Sequence, residues 1–205
     1  MAMQVHDVEQ NSPEWDQLRA GRPTASEMKN VVTSKGKLST GFTGYAAVLA
    51  AETYVGGPVH EFSTAWTERG HALEADGISQ YEWECNAQVT RVGFITNHDA
   101  GCSPDGDVKG DDKLVEIKCL SGRHHVMNLS RMKNGHCPAD YFTQVQGQMW
   151  IAERSQCDLY LYHPDLPSGL VTVARDDAFI KTLAEQVANL IAKRDEFVQV
   201  LESWS

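Results

Sequence analysis

Three charged side chains, Asp105, Glu116 and Lys118, are predicted to meet at one point of the molecule. The residues from 114 to 120 alternate between apolar and polar types, which predicts a β-strand. Glu116 and Lys118 are two positions apart, so they project together from one face of that strand. Asp105 lies in a Pro-Asp-Gly turn shortly before the strand and can reach the same place. Two carboxylates and an ammonium in this arrangement suit a hydrolysis that uses a hard divalent cation and a positioned water.

The residue types indicate magnesium chemistry on a phosphate. Mg²⁺ prefers oxygen ligands and keeps several waters, so Asp105 and Glu116, with the main-chain carbonyl of Ile117, can hold it. Lys118 can orient the attacking water, lower its pKa or stabilise charge on the scissile phosphate. The alternative is a solvated strand with an ordinary surface Glu–Lys pair. Gly106 favours the functional interpretation, because it permits a tight turn that presents Asp105.

Composition restricts the class of protein. A chain of 205 residues with 41% hydrophobic residues suits one α/β or α+β domain. No run of eighteen apolar residues is present, and the N-terminus lacks the layout of a signal peptide, so no membrane association is expected. The cysteines are scattered and odd in number, without a Cys-x-x-Cys pair, which argues against a zinc or disulfide framework and fits a reducing cytoplasm. They are Cys85, Cys102, Cys119, Cys137 and Cys157.

The net charge of −10 argues against a broad nucleic-acid-binding surface. If DNA is the substrate, positive charge must be concentrated in a groove or channel. Candidate cations for such a channel are Lys35, Lys37, Arg123, His124, His125, Arg131 and Lys133, although each alone suits a solvated surface position. Phe42 and Tyr45 are candidates for stacking on a frayed base pair.

The coarse order of elements is helices, a central run of strands that carries the charged residues, helices, strands and a last helix. Ser12 and Pro13 predict a helix start, and that helix ends before Gly21. Thr24 and Glu27 form a capping-box pattern that predicts a second helix from Thr24. Further helices are predicted at 44–55, 65–83, 123–133, 138–153 and 176–202, and strands at 88–96, 99–103, 113–120, 157–163 and 169–175. This order predicts a single domain over 1–205, with a mixed central β-sheet flanked by helices.

Several segments together resemble a known family. Asp105, Glu116 and Lys118 resemble the Pro-Asp…(Asp/Glu)-x-Lys core of the restriction-endonuclease-like nucleases. Other segments are similar, in the same order, to the phage lambda exonuclease branch, also called YqaJ-type viral recombinases. These segments are Trp15–Gly21 with Thr24–Glu27, Trp66 with Gly70–Glu74, Cys102–Gly106 and Gln144–Trp150. The matches extend over roughly residues 12–163.

The resemblance implies a Mg²⁺-dependent exonuclease, with Mn²⁺ as a substitute, that digests one strand of double-stranded DNA from the 5′ end. Such enzymes release mononucleotides and leave a 3′ single strand for recombination by strand annealing. The resemblance also implies a ring-shaped homotrimer around the DNA and a single-strand-annealing protein as partner. The expected place of action is the cytoplasm of a bacterial host, with the gene carried by a phage or prophage. A ring reconciles an acidic exterior with a DNA substrate.

The resemblance also assigns roles to individual residues. Arg19 corresponds to a family arginine that binds the terminal 5′-phosphate, and a guanidinium suits bidentate contact with phosphate. Ser26 lies in the first turn of a predicted helix, where free N–H groups and the helix dipole attract a phosphate, and Ser103, next to the site, can add a hydroxyl. Glu74 corresponds to a third acidic residue of the active centre and metal site. Gln144 corresponds to a site glutamine, and Gln148 shares its helix face. His71 is left open between a metal ligand and a helix-surface histidine. Trp150 is predicted to lie in the core.

Other functions remain open at this point. One is an endonuclease or single-strand nuclease of the same fold. A second is a non-catalytic DNA-binding recombination scaffold, which would have no need of the full set Asp105, Glu116 and Lys118. A third is a phosphodiesterase that acts on RNA or small nucleotides, which the segment with Arg19 and Ser26 disfavours.

Overall fold

The structure is a computed structural model, which describes the backbone of residues 2–59 and 65–205 and the side chains of residues 2–59 and 73–205. Its centre is a five-stranded mixed sheet in the order β2-β5-β6-β7-β8. These strands are β2 (Val89–Thr90), β5 (Gly106–Val108), β6 (Lys113–Cys119), β7 (Gln156–Tyr162) and β8 (Gly169–Ala174). The β6–β7 pair is parallel and the other pairs are antiparallel. The predicted mixed sheet is therefore confirmed.

A second, antiparallel sheet lies beside the first and has the order β1-β3-β4. Its strands are β1 (Gln4–His6), β3 (Phe94–Asn97) and β4 (Ala100–Cys102). The prediction of one strand over 88–96 is wrong, because this segment contributes β2 to the large sheet and β3 to the small one. The break falls at Gly93, where a Cβ atom would lie only 2.4 Å from the carbonyl oxygen of Val8.

The helices pack around the two sheets. They are α1 (Pro13–Arg19), α2 (Phe42–Val55), α3 (Ala65–Cys85), α4 (Gly122–Met132), α5 (Ala139–Ile151) and α6 (Asp177–Ser203). The start of α1 is confirmed, because the Ser12 hydroxyl accepts a hydrogen bond from the Trp15 main-chain N–H. Among the described helices, none combines the length and apolar character needed to span a bilayer.

The capping-box prediction at Thr24 is wrong. The chain forms a short 3-10 helix over Ala25–Asn30, and the Thr24 side chain makes no capping hydrogen bond. The Glu27 carboxylate instead accepts a hydrogen bond from the Asn30 amide at 2.6 Å. This segment packs against α5, where Gly147 allows a close approach because a Cβ there would lie 3.1 Å from Met28 Cγ.

Apolar side chains form one cluster on each side of β6. The larger cluster contains Leu114 and the buried stripe of α6, formed by Phe179, Leu183, Val187 and Leu190. The smaller contains Val115 and Ile117, packed against Ile78 and Tyr81 of α3. The predicted alternation along β6 is therefore confirmed, and Glu116 and Lys118 share the face opposite Val115 and Ile117. Trp150 is buried in the larger cluster, as predicted.

Candidate active site

The charged residues of β6 lie at the wall of a cleft of about 450 Å³. The walls come from α1, the 3-10 helix, α3, β6 and α5. Within the described side chains, the residues assigned to the phosphate, catalytic and metal sites all line this cleft: Arg19, Ser26, Glu74, Ser103, Asp105, Glu116, Ile117, Lys118 and Gln144. The fold thus brings together residues that are far apart in the sequence, whereas their individual roles stay predictions.

Asp105 is held where the β5–β6 ladder ends. The residue is 7% exposed, and its Oδ2 atom accepts the main-chain N–H of Ile117 at 2.6 Å. Gly106, which follows Asp105, does not adopt a positive φ, so the predicted reason for this glycine is wrong. The reason is space, because a Cβ at this position would lie 2.0 Å from Val89 Cγ1.

Glu116 is 3% exposed and has a donor on each carboxylate oxygen. Lys118 Nζ and Gln144 Nε2 each lie 2.6 Å from its Oε1 atom. Gln148 Nε2 donates to Oε2, also at 2.6 Å. Charge-assisted hydrogen bonds of this kind are about twice as strong as neutral ones. The carboxylate is therefore fixed in orientation by β6 on one side and α5 on the other.

Gln148 is a site residue to which the sequence analysis gave no role. The signal was present, since Gln144 and Gln148 are four positions apart and share a helix face. Gln146 lies between them and points away, because its side chain bonds the Ala174 carbonyl and the Asp176 main-chain N–H. The four-residue spacing alone therefore distinguishes Gln144 and Gln148, which face the cleft, from Gln146, which does not.

Glu74 reaches the cleft from α3. The helix lies close to β6 at Gly77, where a Cβ would be 2.7 Å from Ile117 Cγ2. The absence of that Cβ lets the turn of α3 that carries Glu74 approach the site strand. Glu74 Oε1 also accepts a hydrogen bond from Arg91 Nη1 at 2.6 Å, a contact that the sequence did not indicate. The side chains of Trp66, Gly70 and His71 lie outside the described residues.

The acidic residues interact electrostatically. Burial, followed by the neighbouring carboxylates of Glu116 and Glu74, raises the pKa of Asp105 well above its ordinary value. Burial lowers the pKa of Lys118, but the carboxylates of Glu116 and Asp105 outweigh it and raise that pKa to about 12. Lys118 is therefore a protonated ammonium at neutral pH. Lys118 and Arg91 thus face three carboxylates, and one negative charge is left over when Asp105 is ionised, which a bound cation would balance.

The cleft continues to the predicted phosphate pocket. The Arg19 guanidinium carbon lies 4.2 Å from the centroid of the Trp15 ring. Ser26 is exposed in the 3-10 helix, and its hydroxyl lies 3.3 Å from that of Thr24. The Ser103 hydroxyl donates to the Gly93 carbonyl at 2.7 Å and accepts the Trp15 indole N–H at 2.7 Å.

Two predictions about the DNA channel are wrong. His125 is fully buried, and its Nε2 atom pairs with the Pro167 carbonyl at 2.8 Å, so it cannot supply surface charge. Tyr45 is buried and its hydroxyl accepts the Thr24 main-chain N–H, so it is not available for stacking on a base. The other candidate cations are exposed: Lys35, Lys37, Arg123, His124, Arg131 and Lys133.

Comparison with known proteins identifies one matching family and several similar exonuclease structures. The model of the YqaJ-like viral recombinase domain matches residues 14–155. The crystal structure of an alkaline exonuclease, LHK-Exo, from Laribacter hongkongensis is similar at 29% sequence identity and a TM-score of 0.81, covering 94% of this chain and 97% of that one. The same exonuclease in complex with dAMP matches at 31% identity, with the same TM-score and coverage.

A more distant structure supports the fold alone. A phage-related exonuclease from Haemophilus somnus 129PT has 17% identity and a TM-score of 0.72, covering 93% of this chain and 99% of that one. Among curated protein sequences, none matches this chain. The mixed sheet flanked by helices is therefore that of the restriction-endonuclease-like nucleases, as predicted.

Proposed function

This chain belongs to the YqaJ-like viral recombinase family, which supports a nuclease role in recombination, and from that premise we propose a specific activity. The protein is a Mg²⁺-dependent exonuclease that digests one strand of linear double-stranded DNA from the 5′ end. It releases mononucleotides and leaves a 3′ single strand for annealing. The comparison with an exonuclease crystallised in complex with dAMP supports a site of nucleotide size.

The observation that carries the proposal is the shared cleft. The charged set Asp105, Glu116 and Lys118 and the guanidinium of Arg19 line the same space of about 450 Å³. A hydrolytic centre is thus adjacent to a cation suited to a terminal phosphate. A binding scaffold has no need of this set of buried acids with a lysine, because burying carboxylates costs free energy.

The donor set fits magnesium. Within the described side chains, no three His, Cys, Asp or Glu residues are grouped so that they could hold a metal ion by themselves. Mg²⁺ is commonly bound by one or two carboxylates, with water and phosphate oxygens completing its shell. Asp105 and Glu116 would be those carboxylates, with the Ile117 carbonyl as a further ligand and Mn²⁺ as a substitute. Glu74 lines the same cleft and would have to move to bond the same ion directly. When bound, the ion supplies charge neutralisation at the scissile phosphate and activation of water.

The residues of the chain position the reactants. Lys118 carries its positive charge beside Glu116 Oε1, so it stabilises negative charge that grows on the phosphate and orients the attacking water. Despite burial, the carboxylates of Glu116 and Asp105 raise the pKa of Lys118 to about 12, which favours its ammonium form while these carboxylates carry no cation. Gln144 and Gln148 hold the Glu116 carboxylate in place.

Arg19, Ser26 and Ser103 recognise the 5′-phosphate and so fix cleavage one nucleotide from the end. Arg19 contributes the charge, and the exposed Ser26 contributes a hydroxyl. Ser103 can donate to a phosphate only if its proton leaves the Gly93 carbonyl. A 5′-hydroxyl end lacks the group that Arg19 binds and is expected to be a poor substrate.

Assembly follows from the same premise. We propose a homotrimeric ring around the DNA and a single-strand-annealing protein that receives the 3′ strand. In a ring, topology keeps the DNA bound, so the net charge of −10 is compatible with a DNA substrate.

The test compares linear and covalently closed circular duplex DNA in Mg²⁺, with EDTA as the control. The proposal expects mononucleotides from the linear DNA, intact circles, and no product with EDTA. Nicked or linearised circles would favour an endonuclease of the same fold. Absence of cleavage in both Mg²⁺ and Mn²⁺, with DNA binding retained, would favour the recombination scaffold.

A further inference from the structure

Trp15 is fixed in the wall of the cleft by contacts on several sides. The residue is 8% exposed. Its main-chain N–H donates to the Ser12 hydroxyl at 3.2 Å, and its indole N–H donates to the Ser103 hydroxyl at 2.7 Å. The ring of Phe94 meets it edge-on, with centroids 6.3 Å apart and planes at 80°. These contacts therefore fix the main chain of Trp15, the position of its indole N–H and the orientation of its ring.

The Ser103 hydroxyl is oriented to receive that indole. It has one proton, and it donates this proton to the Gly93 carbonyl at 2.7 Å. Its lone pairs then face Trp15, which has a donor and no acceptor on its ring. The hydrogen bonds run in one direction, from the indole to the hydroxyl to the carbonyl, and connect α1 to the residue after β4 and the residue before β3.

Arg19 lies over the ring that this chain of hydrogen bonds fixes. Its guanidinium carbon is 4.2 Å from the ring centroid, and the two residues are four positions apart on α1. A guanidinium can stack through its plane and still donate from its edge to a phosphate. The stack restricts the rotamers of Arg19 before it binds a ligand. Less side-chain entropy is therefore lost when Arg19 binds a phosphate.

We infer that Trp15 is a positioning residue that orients Arg19 for the 5′-phosphate, and that Ser103 acts on phosphate recognition through Trp15. This inference rests on the proposed function, in which Arg19 binds the phosphate. It assigns to the Ser103 hydroxyl the task of holding the indole in place.

The test measures end discrimination, defined as kcat/KM on 5′-phosphorylated duplex divided by kcat/KM on 5′-hydroxyl duplex. Trp15→Phe keeps an aromatic ring and removes the indole N–H, and Ser103→Ala removes the acceptor of that N–H. Each is expected to lower discrimination several-fold, with about ten-fold as the upper bound set by complete loss of a partly desolvated cation–π contact. The loss should lie in KM for phosphorylated ends and not in kcat at saturating DNA.

A double-mutant cycle shows whether the effect passes through Arg19. In an Arg19→Ala background, Trp15→Phe and Ser103→Ala should lower discrimination no further. Trp83→Phe, at an exposed tryptophan of α3, is the matched control and should behave as wild type. Melting temperatures are measured for all variants, so that a variant that fails to fold is identified. If either Trp15→Phe or Ser103→Ala fails to fold, the other single variant decides whether the inference holds.

The outcomes separate the inference from the proposed function. If the wild type does not discriminate between ends, or Arg19→Ala leaves discrimination intact, the proposed phosphate role of Arg19 is wrong. If Arg19→Ala abolishes discrimination but Trp15→Phe and Ser103→Ala preserve it, the positioning role is overturned. Equal losses with and without Arg19 would also overturn it, because the two residues would then act independently of the guanidinium.

Discussion

The Gln148 amide Nε2 donates a hydrogen bond to Glu116 Oε2 at 2.6 Å, from the helix α5 to the strand β6. The other oxygen of Glu116 accepts from Lys118 and Gln144. All four side chains are thus connected, and three donors hold the carboxylate in one orientation. Such preorganisation is what a site needs when its first ligand must be placed to within a fraction of an ångström.

Gln148→Met should lower kcat by about 10- to 100-fold, the usual effect of losing a partner that orients a metal-binding carboxylate. The control is Gln146→Met on the same helix, because Gln146 is equally buried but bonds Ala174 and Asp176. That control should cost about 1–3 kcal/mol of unfolding free energy and leave kcat unchanged. Steady-state digestion measures kcat, and urea unfolding measures the free energy of unfolding. Equal kcat values for the two variants would refute the role of Gln148.

Lys118→Ala should reduce the digestion rate by roughly 10²–10⁴, the range for loss of a charge-stabilising or water-positioning group. DNA binding in Ca²⁺, which does not support the chemistry of most Mg²⁺ nucleases, provides the control for folding and substrate contact. A variant that binds normally and digests at the wild-type rate would remove Lys118 from the mechanism.

Asp105→Asn tests how far the ionised Asp105 carboxylate lowers the free energy of unfolding. The pKa of Asp105 is raised by burial and by the carboxylates of Glu116 and Glu74, so the native state holds this proton more tightly than the unfolded chain. Across the interval from the ordinary to the raised pKa, the unfolding free energy of the metal-free protein therefore falls as the pH rises. Asparagine has no such proton, so the variant should show a flatter pH dependence.

Urea unfolding in EDTA at a series of pH values measures this difference. In the same variant, the increase in melting temperature on adding Mg²⁺ should be smaller than in the wild type, because a proposed ligand is lost. A variant with a steeper decline toward high pH, or with an undiminished response to Mg²⁺, would contradict the assignment of Asp105.

Tyr81→Phe should lower the unfolding free energy by about 1.5–3 kcal/mol, the scale of a hydrogen bond to a charged group. The Tyr81 hydroxyl donates to the buried Asp158 Oδ2 at 2.7 Å and joins α3 to β7. Urea unfolding tests this, with Tyr54→Phe, at an exposed tyrosine of α2, as a control that should change little. A cost no larger than that of the control would mean that Lys113 and Thr172 suffice for Asp158.

The local sequence predicted those parts of the fold and site that depend on periodicity. The alternation along β6 placed Glu116 and Lys118 on one face, and the four-residue spacing of Gln144 and Gln148 placed them on one face of α5. Both patterns arise from the geometry of a single element, so they can be read without knowing its neighbours.

Features that depend on contacts between distant segments could not be predicted in this way. The division of 88–96 into two strands follows from the approach of Val8 to Gly93, and the need for Gly106 follows from Val89. The burial of His125 depends on the segment that contains Pro167. The pairing of Arg91 with Glu74 likewise joins residues on different elements.

The measurement that tests the central claim most directly uses a linear duplex with a 5′-phosphate on one strand and a 5′-hydroxyl on the other. Each strand carries a different label at its 5′-terminal nucleotide. The account predicts that the label of the phosphorylated strand appears first, as a mononucleotide. The other strand should remain intact and become single-stranded. Digestion of the 5′-hydroxyl strand at an equal rate, or release of the label as oligonucleotides, would contradict it.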